Sequence, residues 1–369
     1  MNNEETHIGI VGAGTIGSTI YDLLASTGCG YKISIADQIN RPVKIPEENY
    51  VRLKITTPTY DGECTQFNQF VSGKTLIINA LPFHQNINLY KACVSYHVPY
   101  FDLSEDDSLD KHIKLLKDIS LIKDVEEIPF TMPHCGLAPG LSTVIANHLL
   151  KTVENPRSVK IRVGALSQNA SNKLRYYTSW SGEGLVNEYL GDCQIIHNGN
   201  YETVPALSGY ERLTLDGREY EAFNTSGGLG TFANSLDGKY KYLSVDYKTV
   251  RHIGHHDYVD FMFNDLKLSQ AELTGIFKHI PQTRNDEVIL YVSAGGHTIE
   301  DERTYHRIFR PRMINGRQLT AIQYTTAIGL LAMVELFLSK KIPQEGYVRQ
   351  EDVNLEDVYK TTFGDIYRE

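Results

Sequence analysis

The chain lacks the features that would place it in several common classes. Its five cysteines, Cys29, Cys64, Cys93, Cys135 and Cys193, are odd in number, scattered and without a CxxC pair. That argues against a zinc centre or a secreted disulfide framework and for a reducing cytoplasm. Basic charge is in deficit, with 36 Lys and Arg against 45 Asp and Glu and a net charge of −9. Such a balance suits a phosphate backbone poorly, so no nucleic-acid partner is expected. Long apolar runs are missing too. The opening MNNEETHIGI has no basic start leading into an apolar stretch, and the most apolar segment, around Ile328 to Leu338, contains Glu335 and is too short to cross a bilayer, so no membrane partner is expected. Neither an internal repeat nor a low-complexity linker interrupts the sequence. What is present is an ordinary globular composition, 41% apolar, in 369 residues, a length that suggests about two domains.

From His7 to about Phe130, short apolar strands alternate with segments of helical period, the pattern of βαβ units and a parallel sheet. Six strands are predicted: His7–Val11, Tyr31–Asp37, Val51–Thr56, Thr75–Ala80, Val98–Leu103 and Ile128–Met132. After Ser158 the pattern changes. Val159, Ile161 and Val163 alternate with polar residues, as do Tyr242, Val245 and Tyr247 more loosely, which predicts an antiparallel or mixed sheet in a second, α+β domain. A helix starting near Pro139, with Leu141, Val144, Ile145 and Leu149 on one stripe, marks the junction. The expected fold is therefore α/β: a Rossmann-type parallel-sheet domain over 1–135, an α+β substrate-binding and dimerisation domain over 136–320, and a helix and tail over 321–369 that packs back on the body.

GAGTIG sets Gly12, Gly14 and Gly17 between the first strand and a helix with Ile16, Ile20, Leu23 and Leu24 on one face. The first glycine allows the tight turn, the second lets the backbone approach a pyrophosphate, and the third lets helix pack on strand. Thr15 and Ile16 complete the turn. Strand two ends in Asp37, twenty residues after Gly17, where a carboxylate accepts ribose hydroxyls and repels a 2′-phosphate. NAD is favoured, and Arg41 nearby leaves NADP open. At the end of strand four, Asn79, Ala80 and Leu81 are expected to touch the nicotinamide half. His84 either faces substrate as a base or caps the next helix. Asp102, at the end of strand five, is assigned to the site, with Ser104 and Asp106 capping the following helix.

The segments NALPFHQNINLYKACVSYHVPYFDLSEDD and MPHCGLAPGLS, continued by TSWSGEGLVNEY, VPALSGYE, EAFNTSGG, YKTVRHIGH and TTAIGLLAMVELFLSKKIPQEGYVRQED, resemble the saccharopine dehydrogenase-like family, and within it the lysine 6-dehydrogenase branch. The resemblance runs over nearly the whole chain. The family's TLRYPGH-like segment reads TVRHIGH here, keeping Arg251 and His255. The resemblance implies NAD(P)-linked oxidation of an amine to an imine, or its reversal, on a small amino acid or amine. It also draws Tyr177, Trp180, Glu183, Thr225, Ser226 and Arg251 into the site. Arg251 suits an α-carboxylate, Trp180 can wall the pocket, Asp102 or Glu183 can anchor an amino group, and Glu183 or Tyr177 stands behind His84 and Asp102 in the chemistry. Each also has a structural reading: Arg251 as a strand-edge ion pair, Trp180 as core, Glu183 as a first-turn helix acid. A saccharopine- or carboxynorspermidine-type reductase is the enzymatic alternative, and a non-catalytic NAD-binding sensor or scaffold the other. A homodimer built through the second domain is expected.

Two clusters are set aside. His252, His255, His256 and Asp257 lack the helix spacing of a metal site, and HIGHH is expected to turn. Cys135 beside His134 is read as packing, on the argument that neighbours on a strand face opposite ways. RTYHRIFRPR is read as a basic strand with a solvated face.

Overall fold

Strands rich in Val and Ile on both faces belong in a sheet covered on both sides. The computed structural model describes residues 6–53, 65–118, 128–180, 182–314 and 316–368. In it β1 (His7–Val11), α1 (Thr15–Ala25), β2 (Lys32–Asp37), β3 (Tyr50–Arg52), α2 (Thr65–Val71), β4 (Leu76–Asn79), α3 (Asn86–Ser95), β5 (Tyr100–Asp102), α4 (Ser108–Asp118) and β6 (Thr131–Met132) follow one another. The six strands run parallel in the order 3-2-1-4-5-6, and the order reverses direction beside β1, where this fold places its ligand. Lys54–Thr56 of the third predicted strand, Cys64 and the first five residues lie outside the described residues. The strands at 98–103 and 128–132 are shorter than the apolar runs that announced them, because Val98 and Ile128 are used as buried loop residues.

The chain then continues through α5 (Leu141–Thr152), β7 (Ser158–Ser167), α6 (Gly182–Glu188), β8 (Asp192–His197), β9 (Asn200–Pro205), β10 (Glu211–Leu215), β11 (Arg218–Asn224), α7 (Phe232–Leu236), β12 (Ser244–His252), α8 (His255–Asp260), α9 (Gln270–Phe277), β13 (Asp286–Gly295), β14 (Arg303–Phe309), β15 (Arg312–Ile314), β16 (Arg317–Leu319), α10 (Ala321–Leu338) and α11 (Leu355–Tyr359). A mixed sheet runs β10-β11-β12-β7-β13-β14, with β12 and β7 parallel, the other neighbours antiparallel, and the β8–β9 hairpin attached to β12. The basic segment 303–312 is β14 and the start of β15, as its alternation predicts. Pro139 does not open α5. It sits in the preceding turn, and Gly140, at φ +132°, takes the chain into the helix.

The chain forms two compact units, Met1–Leu141 with Thr326–Arg368, and Ser142–Thr325. In the first, the C-terminal segment extends the sheet edge: Thr131 N–H donates to Gly346 O at 2.9 Å and Val348 N–H to Thr131 O at 2.9 Å. Phe337 of α10 packs against Phe101 and Phe130. Apolar and 18 residues long, α10 is long enough to cross a membrane, against the sequence reading of its apolar part as too short, yet most of it is buried inside the protein. In the second unit the start of α10 is fixed by Asp286, whose two carboxylate oxygens accept from Ala321 N at 2.7 Å and Ile322 N at 3.0 Å.

Candidate active site

At the carboxyl edge of the parallel sheet, Gly12 adopts φ +109°, and a Cβ there would lie 2.5 Å from Ala80 O. A Cβ on Gly17 would lie 1.8 Å from Gly12 O, so only glycine lets α1 start this close to the strand. Gly14 differs. Nothing lies within 4 Å of a Cβ built on it, and Gly14 and Thr15 are exposed while Ile16 is half-buried. The first turn of α1 holds no acidic side chain and no side-chain cap, which leaves its N–H groups and positive end free for a phosphate. Asp37 is buried beside the turn: Oδ2 accepts from Ala13 N at 2.5 Å, and Oδ1 from Gln38 N at 2.6 Å and Ile39 N at 3.2 Å. Three donors on a carboxylate with about four acceptor positions leave one for a ribose hydroxyl. The guanidinium of Arg41 is held by Ile45 O.

Asn79, Ala80 and Leu81 lie against this turn. Ala80 N–H donates to Val11 O at 2.7 Å, and Leu81 N–H donates to Asn79 Oδ1 at 3.0 Å. Asn79 pairs across the sheet with Asp102. Asp102 is 1% exposed and accepts from Tyr100 OH at 3.0 Å, Ser104 N at 2.9 Å and His134 N at 3.0 Å. Burial raises its pKa, against the pull of His134 and of these donors. So occupied, the carboxylate fixes strand end and loops rather than standing open to solvent. His84 sits on a 3-10 turn, Phe83–Gln85, one step before α3 rather than at its start. Its ring is exposed, lies edge-on to Phe83, and makes no hydrogen bond among the described residues. Asp106 accepts from Ser108 N at the head of α4, and Ser104 Oγ holds Asp106 N.

In the second unit, Arg251 is 2% exposed, and its fork is already engaged. Nε donates to Tyr189 OH at 2.9 Å, Nη1 to Val250 O at 3.1 Å and Nη2 to Glu188 Oε2 at 3.2 Å, and the guanidinium lies 5.1 Å from the centre of the Tyr176 ring. Here it holds interior groups with three of its five N–H donors. Tyr189 OH donates to His255 Nε2 at 2.9 Å, and His255 Nδ1 donates to Leu174 O at 2.8 Å. That chain needs a neutral imidazole, and burial followed by the Arg251 charge lowers the His255 pKa to about 3. Glu188 is pushed the other way, to about 7, by burial against Arg251. Trp180 joins the cluster, donating from Nε1 to Tyr176 OH at 3.1 Å. Glu183 is exposed in the first turn of α6. Tyr177 OH pairs with Ser171 Oγ at 2.8 Å, Thr225 is buried on Thr249, and Ser226 Oγ donates to Asn187 O. Arg251 and Trp180 thus meet at Tyr176, and Ser226 N–H donates to the backbone oxygen of the Arg251 partner Glu188, while Tyr177 and Thr225 have other local partners and Glu183 has none in that cluster among the described residues.

Residues 8–123 match the saccharopine dehydrogenase NADP binding domain, and residues 136–368 match the saccharopine dehydrogenase C-terminal domain. The chain belongs to the saccharopine dehydrogenase family. Its fold is similar to that of the apo L-Glu-forming saccharopine dehydrogenase of Saccharomyces cerevisiae, at 13% identity and TM-score 0.70 over 96% of this chain and 97% of that one. It is similar also to homospermidine synthase of Legionella pneumophila in complex with NAD, at 13% identity and TM-score 0.69 over 99% and 91%. Membership makes the protein one of a family of NAD(P)-dependent oxidoreductases, and the nicotinamide dinucleotide expected from GAGTIG fits the turn described above.

Within this saccharopine dehydrogenase-type chain, sequence reasoning passed over several residues. His134 entered it only as a neighbour of Cys135, and the strand argument used there fails: 133–135 lie past the end of β6 in irregular backbone, and His134 has φ +61°. Cys135 itself is buried, with burial pushing its thiol up. Tyr100, Tyr176, Glu188 and Tyr189 gave only the signal of polar side chains inside apolar runs. The HIGHH histidines are each directed to a carbonyl, His252 to Ser167 O before a turn at Gly254, and His255 to Leu174 O and His256 to Leu207 O after it.

Proposed function

We propose that the protein oxidises a carbon–nitrogen bond of an amino acid with NAD, in the manner of a lysine 6-dehydrogenase. The observation that carries the reading is the glycine turn, open at Gly14 and closed at Gly12 and Gly17, with Asp37 keeping one acceptor position beside it. A bound nicotinamide supplies the hydride acceptor. The substrate carbon gives up hydride only when its nitrogen is neutral, so a base must first take the ammonium proton. The loss of two electrons and two protons from CH–NH2 leaves an imine, which water hydrolyses to carbonyl and ammonia, or which an internal amine closes. His84, exposed and with no hydrogen bond to its ring among the described residues, is the group best placed on its own loop to take that proton. Asp37 supports NAD over NADP, since a 2′-phosphate would meet a carboxylate. A reducing cytoplasm accompanies the proposal, on the scattered cysteines without a CxxC pair, and a homodimer is proposed with it.

The test is a panel of lysine, ornithine, saccharopine and polyamine-derived amines with NAD and NADP, followed by absorbance of the reduced nicotinamide. The reverse arm combines amines with keto acids and aldehydes in the presence of NADH. Reduction of NAD by a single amino acid supports the dehydrogenase. Turnover only in the reverse arm replaces it with the condensing reductase, and tight NAD binding without turnover in either arm replaces it with a sensor.

A further inference from the structure

This inference rests on the dinucleotide reading above and concerns how the edge of that site is held. The His134 ring is buried, with Nδ1 2.6 Å from Ser104 O and Nε2 2.7 Å from Asp110 Oδ2. A carbonyl and a carboxylate can only accept, so both ring nitrogens must carry hydrogen and the ring is an imidazolium. From it two routes lead away. Through its backbone N–H it holds Asp102 Oδ1; Asp102 Oδ2 accepts from Tyr100 OH; Tyr100 OH accepts from Asn79 Nδ2 at 2.8 Å; and Asn79 Oδ1 accepts from Leu81 N–H. Through Asp110 it reaches Tyr347, whose hydroxyl donates to Asp110 Oδ1. Asn79 to Leu81 is the segment pressed against Gly12.

We propose that His134 is a positioning residue, a buried imidazolium that locks the Asn79–Leu81 edge of the dinucleotide site to α4 and the C-terminal segment through Asp102, Asp110 and Tyr347. Its proton is the working part. Burial disfavours the charge, but the bond and the charge of Asp110, then Asp102, outweigh it and raise the pKa to about 9. The titratable groups around it are Asp102 and Tyr100 from β5, Asp110 from α4, Cys135 next in the chain, and Tyr347 and Glu351 from the tail, with Arg349 against Glu351. Burial holds Tyr100, Cys135 and Tyr347 well above their ordinary values, while His134, raised to about 9, is expected to lose its charge within reach of a pH experiment. Once neutral, with Nδ1 still donating to Ser104, it turns a lone pair toward the Asp110 carboxylate, and the lock loosens.

The experiment measures NAD affinity by calorimetry from pH 7 to 10, and exchange of the Leu81 amide in the protein without NAD, for wild type, His134→Gln and Asp110→Asn. Wild-type affinity is expected to fall about tenfold as pH passes 9, whereas His134→Gln binds about tenfold more weakly at pH 7 and shows no such fall. Asp110→Asn removes the charge that holds the proton, so the fall should move at least one pH unit lower. The Leu81 amide should exchange several-fold faster in His134→Gln. Wild-type affinity and pH profile in His134→Gln, or an unmoved midpoint in Asp110→Asn, overturns the proposal. If wild type binds no dinucleotide, the functional reading fails instead, and the lock stands or falls on Leu81 exchange alone.

Discussion

Replacing Arg251 by Met removes the only cation paired with Glu188 among the described residues while keeping most of the side-chain volume. Arg251 is 2% and Glu188 14% exposed at the side chain, so neither charge has water to fall back on. Breaking a buried ion pair from one side costs about 3–5 kcal/mol, because the partner charge stays behind. Tyr189 OH also loses its donor, and the ring of Tyr176 its cation. The double variant Arg251→Met/Glu188→Gln removes both charges and should regain about half of the loss. The pH dependence follows from sign. With Arg251 present the Glu188 pKa already stands at about 7, raised by burial; without Arg251 it must rise further. A carboxyl with a raised folded pKa contributes stability below its unfolded pKa of about 4.3 and loses it as pH climbs through the folded one. The gap between wild type and Arg251→Met should therefore widen above pH 7. Trp180 is the only tryptophan in the chain and packs in the same cluster, so urea unfolding followed by its fluorescence at pH 5.5 and 8.5 reads this unit directly. A loss under about 1 kcal/mol, or the same loss at both pH values, would refute the account of Arg251 as an interior strut.

Three further outcomes are expected. Gly17→Ala should abolish measurable NAD binding because its Cβ would sit 1.8 Å from Gly12 O, whereas Gly14→Ala should fold as wild type and weaken only the dinucleotide; titration against NADH fluorescence beside far-UV circular dichroism separates the two. Asp286→Ala leaves the first N–H groups of α10 without their acceptor and should cost about 1–3 kcal/mol, read as a lower urea midpoint. The stability that His134 contributes, at most about 3–4 kcal/mol for a rise from 6.5 to about 9, is complete below pH 6.5 and gone above about 9, so thermal unfolding of wild type should drift downward across that window and that of His134→Gln should not.

The parallel sheet was legible because a period change and a glycine turn are local properties. An apolar run such as Leu76–Ile78 needs no partner to be recognised, and Gly12, Gly14, Gly17 and Asp37 sit at spacings fixed by one βαβ unit. The second sheet was legible as strands but not as an order, since nothing in β7 or β12 announces that they run parallel to each other. Side-chain roles were hardest. Arg251 read as a partner for a substrate carboxylate or as a strand-edge ion pair; that it is buried among Tyr176, Glu188 and Tyr189 depends on residues brought in from elsewhere in the chain. His134 was hidden for the same reason, its partners Ser104 and Asp110 lying some thirty and two dozen residues before it. Pairings over such distances leave no mark in a window of sequence.

The edge of the parallel sheet is finished by Gly346 and Val348, which emerge from the ribosome only after all of Ser142–Thr325 has been made. At about 5–20 residues per second, roughly 10–40 s separate the birth of β6 from that of the strand-like segment that covers it. During that interval the backbone of Thr131 has no neighbour on its outer side, while the inserted middle of the chain is already long enough to complete its own sheet. Assembly is therefore nested, with the inner body closing first and the nucleotide-binding body sealed last. Arrest or premature termination shortly before residue 346 would release a chain with an open, adhesive strand edge, a species for chaperones to hold and for aggregation assays to detect.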